Sequence, residues 1–210
     1  MIALTAAAPV VAQPLTLTAM GDSLTQGYGL PADEGFVPVL QDWLRARGHD
    51  VNVINAGVSG DTTAGGRARI GWTLADNPDA LIVALGGNDL LRGIDPAASR
   101  ANLDAILVAA TEAGVPVLLA GLPGPGNFGP DFKRDFEAMY GELAEAHGAL
   151  LVDDFLAPLT ARMEAGESLS GLMQPDNIHP SAEGVRLIVE AIGPEAARLL
   201  ERAGGGGAGG

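Results

Sequence analysis

Residues 80–89 read ALIVALGGND, six apolar positions in a row followed by two glycines, an amide and an acid. A run this short and this apolar fits a strand buried on both faces, and the glycines mark where the chain leaves the sheet. Similar runs recur at LTLTAM (15–20), VNVINA (51–56), VPVLLA (115–120) and ALLVDD (149–154). Between them lie stretches with helical periodicity that close on glycine: FVPVLQDWLRARG, PAASRANLDAILVAATEAG and DFKRDFEAMYGELAEAHG. Strand and helix in alternation require right-handed crossovers and a parallel sheet covered on both sides. The expectation is a three-layer α/β/α sandwich of about five strands. With no second core, linker or internal repeat, residues 15–203 read as one domain.

Composition narrows the function. The chain has 210 residues, 47% of them hydrophobic, enough for one sizeable core. Twelve basic against 26 acidic residues give a formal charge of −14, which repels phosphate backbones and anionic membrane surfaces, so nucleic acid is not an expected partner. Without cysteine there is no disulfide framework, thiolate nucleophile or cysteine-bound zinc. No apolar run reaches the roughly 18 residues of a spanning helix. Residues 1–14 resemble the apolar core and cleavage end of a secretory signal without its basic start, implying a periplasmic or secreted protein; a loose terminus of a cytoplasmic one is the alternative. Residues 204–210 have the composition of a flexible tail.

Ligands of open parallel sheets bind outside the carboxyl ends of the strands. There the unusual residues lie: Gly21-Asp22-Ser23 after the first run, Asn55-Ala56-Gly57-Val58-Ser59-Gly60-Asp61 after the second, and Gly86-Gly87-Asn88-Asp89 after the third. Ser23 at a strand-to-helix turn sits beside free N–H groups and a positive helix end, a place for a nucleophile whose product is an oxyanion. Alternatively, Asp22 or Ser23 simply caps the helix. A serine nucleophile needs a histidine base, and the base needs a group that fixes its tautomer. His49 and His147 end helices and read as exposed residues near C-terminal carbonyls. His179, in Asp176-Asn177-Ile178-His179-Pro180, has an acid three residues upstream, close enough for one turn to join them. Asp153 and Asp154, ending the fifth run, are the alternative acids. The Ser23 N–H, the Gly57 N–H and the Asn88 side chain read as donors to an oxyanion.

Gly124-Pro125-Gly126-Asn127-Phe128-Gly129 formally matches a dinucleotide fingerprint, but proline in the turn removes an N–H that pyrophosphate needs. It reads better as a substrate-facing loop, with Asn127, Phe128 and, from the other side, Ile178 as candidate binding residues. No metal is expected, because no third ligand lies near Asp176 and His179. No cofactor is implied.

The four blocks GDSLT, NAGVSGDT, GGND and DNIHP, in this order, resemble those of the GDSL/SGNH hydrolases, and the match runs from about residue 16 to 200. The stretches GDTTAGGRARI and LGGNDLLRG are similar to the bacterial thioesterase I, lysophospholipase and arylesterase branch. The resemblance implies a flavodoxin-like SGNH hydrolase fold, with Ser23 as nucleophile, His179 as general base and Asp176 as its orienter. It also implies Ser23, Gly57 and Asn88 as oxyanion donors and small acyl esters as substrates: short to medium acyl esters, aryl esters, acyl-CoA or lysophospholipid. A carbohydrate O-acetyl esterase is the runner-up, and a non-catalytic lipid or carbohydrate binding module the alternative of another class. A monomer is the expectation.

Overall fold

The structure, a computed structural model, describes residues 13–124 and 126–205. Five strands, β1 (Leu15–Gly21), β2 (Val51–Gly57), β3 (Ala80–Ala84), β4 (Val117–Ala120) and β5 (Leu150–Val152), form one parallel sheet in the order β2-β1-β3-β4-β5. Each coincides with one of the five apolar runs. β4 starts two residues later than its run because Pro116 has no N–H for the ladder. β5 stops before Asp153 and Asp154, where the Asp154 carboxylate turns to accept the Leu156 N–H at 2.7 Å.

Among the described residues, eight α-helices connect and cover the strands: α1 (Ser23–Gln26), α2 (Phe36–Arg45), α3 (Thr63–Ala75), α4 (Gly87–Leu91), α5 (Pro96–Glu112), α6 (Pro130–His147), α7 (Ala157–Glu164) and α8 (Ala182–Gly205). Local chemistry places their ends. The Asp95 side chain caps α5 by accepting the Ala97 N–H, with Pro96 as the first helical residue, and Gly148 closes α6 in the left-handed conformation. α2, α7 and α8 pack together over one face of the sheet and α3, α5 and α6 over the other, giving three layers. All of β3 is buried, with Leu81, Ile82 and Val83 between Ile188 and Ile192 of α8 and Leu103 and Ile106 of α5 in one core. Each such side chain removed from water contributes about 1.5–3 kcal/mol.

α8 runs on through Gly204 and Gly205, two residues expected in a flexible tail; residues 206–210, and residues 1–12 of the signal-like segment, lie outside the described residues. No described helix is long and apolar enough to cross a membrane. The strand order decides where a ligand fits. From β1 the chain moves outward to β2, then returns past β1 to β3, so the crossovers diverge between β1 and β3 and leave a crevice outside their carboxyl ends.

Candidate active site

β1 ends at Gly21, and the side chain of Asp22 caps α1 by accepting the Leu24 N–H at 3.0 Å. The cap is therefore Asp22, which leaves Ser23 as the first helical residue with its hydroxyl free for another partner. That partner is His179, whose Nε2 lies 2.9 Å from Ser23 Oγ. Its Nδ1 lies 2.7 Å from Asp176 Oδ2, so an Nδ1–H donated to the carboxylate leaves a bare Nε2 to accept from the serine hydroxyl. The other carboxylate oxygen, Oδ1, accepts the backbone N–H groups of Ile178 and His179 at 2.9 and 3.0 Å. The bond from the imidazole, followed by the two backbone bonds, holds the Asp176 carboxyl down at about 2. Asn177, between them, has φ 55, a left-handed conformation that asparagine tolerates.

Two residues not singled out in the sequence support this turn. The Gln174 side-chain amide donates to the carbonyls of Tyr28 and Pro180 at 2.8 and 3.0 Å, and the Tyr28 ring lies 4.7 Å from the imidazole, tilted by 37°. Gln174 belongs to no periodic or glycine-rich pattern, whereas Tyr28 lies between Gly27 and Gly29 just after the serine block, a signal that could have marked it. The alternative acids go elsewhere: Asp154 is half-buried and engaged with the start of α7, its carboxyl pushed up by burial, and Asp153 is exposed.

Asn88, on the first turn of α4, points its amide back to Asp22, donating to Oδ2 at 3.2 Å. Asp22 is 2% exposed, and burial pushes its carboxyl up against the pull of the Leu24 and Asn88 bonds. The second amide hydrogen of Asn88 remains for another acceptor.

Gly57 is a correction. It is the last residue of β2, and its N–H donates to Asn55 Oδ1 at 2.9 Å, while Asn55 Nδ2 donates to the Gln26 carbonyl. A Cβ at Gly57 would lie 2.8 Å from Gln26 Cα and 2.9 Å from the Asp22 carbonyl, both backbone atoms. Glycine is needed there so that β2 can approach α1, a packing requirement. The glycine that lines the cleft is Gly60, with φ +80 and no acceptor for its N–H among the described residues.

The cleft holds about 460 Å³ between these groups. Ser23, Gly60, Asn88 and His179 line its polar side, and Leu24, Tyr28, Leu90, Leu91, Leu122 and Leu156 its apolar side. Ile178 lines it as expected; Asn127 and Phe128 do not. They belong to a single 3-10 turn, Gly126–Phe128, whose Phe128 ring lies 4.8 Å from that of Phe132, tilted by 38°, and covers Gly93. The Gly124 N–H of that loop is taken by Glu137 Oε1 at 2.9 Å, and Lys133 donates to its carbonyl at 3.0 Å, so the first of the fingerprint-like glycines is held against α6. His147 is also a correction: its Nε2 pairs with Asp104 Oδ1 at 2.7 Å, not with helix-end carbonyls.

A family model described as the GDSL-like lipase/acylhydrolase family matches residues 19–187. The chain belongs to this family. It is an ester hydrolase by its homologues, as the four ordered blocks imply. This GDSL-family chain is 39% identical over 186 residues to the esterase TesA of Pseudomonas aeruginosa, covering 88% of this chain and 89% of that one. It is 33% identical over 185 residues to an arylesterase of Vibrio mimicus, again covering 88% and 89%. Among solved structures, AlinE4, an SGNH-hydrolase family esterase, superposes with a TM-score of 0.73 at 41% identity, covering 91% of this chain and 99% of that one.

Proposed function

We propose that the protein hydrolyses acyl esters through an acyl-enzyme formed on Ser23. The observation that carries this reading is the continuous line Asp176–His179–Ser23, with contacts of 2.7 and 2.9 Å, opening into a cleft with an apolar wall. Ser23 Oγ attacks the carbonyl carbon as His179 Nε2 takes its proton; the imidazolium then protonates the leaving alcohol, and water, activated by the same nitrogen, releases the acid. Asp176, held ionised, keeps Nδ1 protonated and stabilises the imidazolium. The oxyanion is received by the Ser23 N–H, the free hydrogen of the Asn88 amide and the Gly60 N–H, which takes the role first read for Gly57.

The leucine-rich wall favours hydrocarbon acyl chains over acetylated sugars. The test is a panel of nitrophenyl esters from acetyl to palmitoyl beside acyl-CoA and acetylated xylan. Turnover of the nitrophenyl series, rising from acetyl to an intermediate length and absent in Ser23→Ala, supports the reading. Faster release of acetate from xylan than from any nitrophenyl ester, or activity surviving in Ser23→Ala, overturns it.

A further inference from the structure

If Asn88 and Gly60 both donate to one oxyanion, as proposed above, then two loops from different strands must keep a fixed spacing across the cleft. A buried carboxylate outside the reacting groups ties these loops together. Asp89, next to Asn88 on α4, is 1% exposed. Its Oδ2 accepts the Thr63 N–H at 2.9 Å, and its Oδ1 accepts the Thr63 and Ser99 hydroxyls at 2.5 and 2.8 Å. Thr63 and Ser99 are fully buried, and Asn102 Nδ2 donates to the same Thr63 hydroxyl at 3.1 Å. Thr63 is the first residue of α3, three positions after Gly60.

We propose that Asp89 is a positioning residue: its carboxylate clamps the start of α3 to the start of α4 and so sets the spacing between the Gly60 N–H and the Asn88 amide. A carboxylate buried without a lysine or arginine partner among the described residues carries a desolvation cost that packing alone does not require. What it provides is acceptor capacity for three converging donors, which no neutral side chain of its size matches. The same loops are joined a second time at the surface, where Arg92, at the end of α4, donates from Nη2 to the Gly60 carbonyl at 2.9 Å. Asp89 touches neither nucleophile nor cleft, so its effect must pass through the donors.

The experiment compares Asp89→Asn, Thr63→Val and Thr63→Ser with Asn88→Ala on one nitrophenyl ester, well below each variant's melting temperature. An amide at 89 keeps the volume but reverses or loses at least one of the three bonds. Asp89→Asn is expected to lower kcat by about 10- to 100-fold with KM within about threefold, because the donors act on charge present only in the transition state. The double variant with Asn88→Ala should fall short of the product of the two single losses, as expected for groups acting as one unit. Thr63→Val should lower kcat in the same sense and Thr63→Ser restore it, which decides the matter if Asp89→Asn does not fold. Wild-type kcat in both Asp89→Asn and Thr63→Val, with only lowered melting temperatures, overturns the inference and leaves a plain packing tie. Wild-type kcat in Asn88→Ala instead overturns the donor reading, and this inference with it.

Discussion

Among the described residues, two histidine–aspartate pairs look alike by distance. His179 meets Asp176 at 2.7 Å at the carboxyl rim of the sheet, and His147 meets Asp104 at 2.7 Å at the opposite end, where α6 turns into β5. Both imidazoles are 15% exposed. What differs is the rest of each pair. Asp176 accepts two backbone N–H groups besides the imidazole, which fixes its position and holds it ionised, whereas for Asp104 no backbone donor is seen among the described residues. His179 carries the acid on Nδ1 and offers Nε2 to Ser23; His147 uses Nε2 for the acid and meets no serine. A histidine–aspartate pair becomes a candidate relay only when the acid takes one ring nitrogen, a hydroxyl the other, and a cleft opens beside both.

The largest expected effects fall on one pair alone. Ser23→Ala should abolish ester hydrolysis and fluorophosphonate labelling with little change in melting. Asp176→Asn should lower kcat by roughly 10⁴, the loss expected when the wrong imidazole tautomer is favoured. The matching Asp104→Asn and His147→Ala should keep wild-type kcat/KM; a collapse in either would erase the contrast between the two pairs. Asp153→Asn and Asp154→Asn serve as further controls, and collapse in one of them with near-full activity in Asp176→Asn would move the orienting role to the end of β5.

Next comes Asn88→Ala, expected to lower kcat by roughly 10²–10³ with a smaller change in KM. An equal rise in KM at unchanged kcat would make Asn88 a binding residue. A smaller contrast lies within one turn. Gly57→Ala should chiefly lower the melting temperature, because the new methyl meets the backbone of α1, while Gly60→Ala should chiefly lower kcat, the space around it being open apart from its left-handed φ. The reverse assignment of effects would return the donor role to Gly57.

The smallest effect is a pH dependence of stability. Asp176 is held at about 2 when folded and returns to about 3.9 when unfolded, so the folded state binds fewer protons between these values. Its contribution is present above about pH 4 and is lost as the pH falls toward 2. The carboxylate is partly exposed, so solvent screens the effect. Melting between pH 5 and 2 should decline more steeply in wild type than in Asp176→Asn; parallel curves would show that the bonds to the imidazole and backbone do not perturb this acid.

The strands were legible because burial on two faces leaves a continuous apolar record, as ALIVAL at β3 shows, and the line from Ser23 to His179 was legible because motif spacing survives folding. The proposal of Gly60 over Gly57 needed the structure, because sequence shows neither that the Gly57 N–H is taken by Asn55 Oδ1 nor that Gly60 lines the cleft. The apolar wall was hidden for a similar reason: Leu24, Leu122 and Leu156 come from three separate segments and share no period. Phe128 was misplaced because an aromatic residue in a glycine-rich loop gives no sign of the side on which the loop will fold, and here Phe132 of α6 decided it.

The contact between Ser23 and His179 spans 156 positions of sequence. On the ribosome, the segment for every strand of the sheet has been made by Val152, before His179 and before α8, which completes the core over one face of that sheet. In the proposed mechanism, the Ser23 hydroxyl has no proton acceptor until residue 179 emerges and remains a weak nucleophile. The proposed base and α8, the helix that covers one face of the sheet, therefore leave the ribosome together, after every strand.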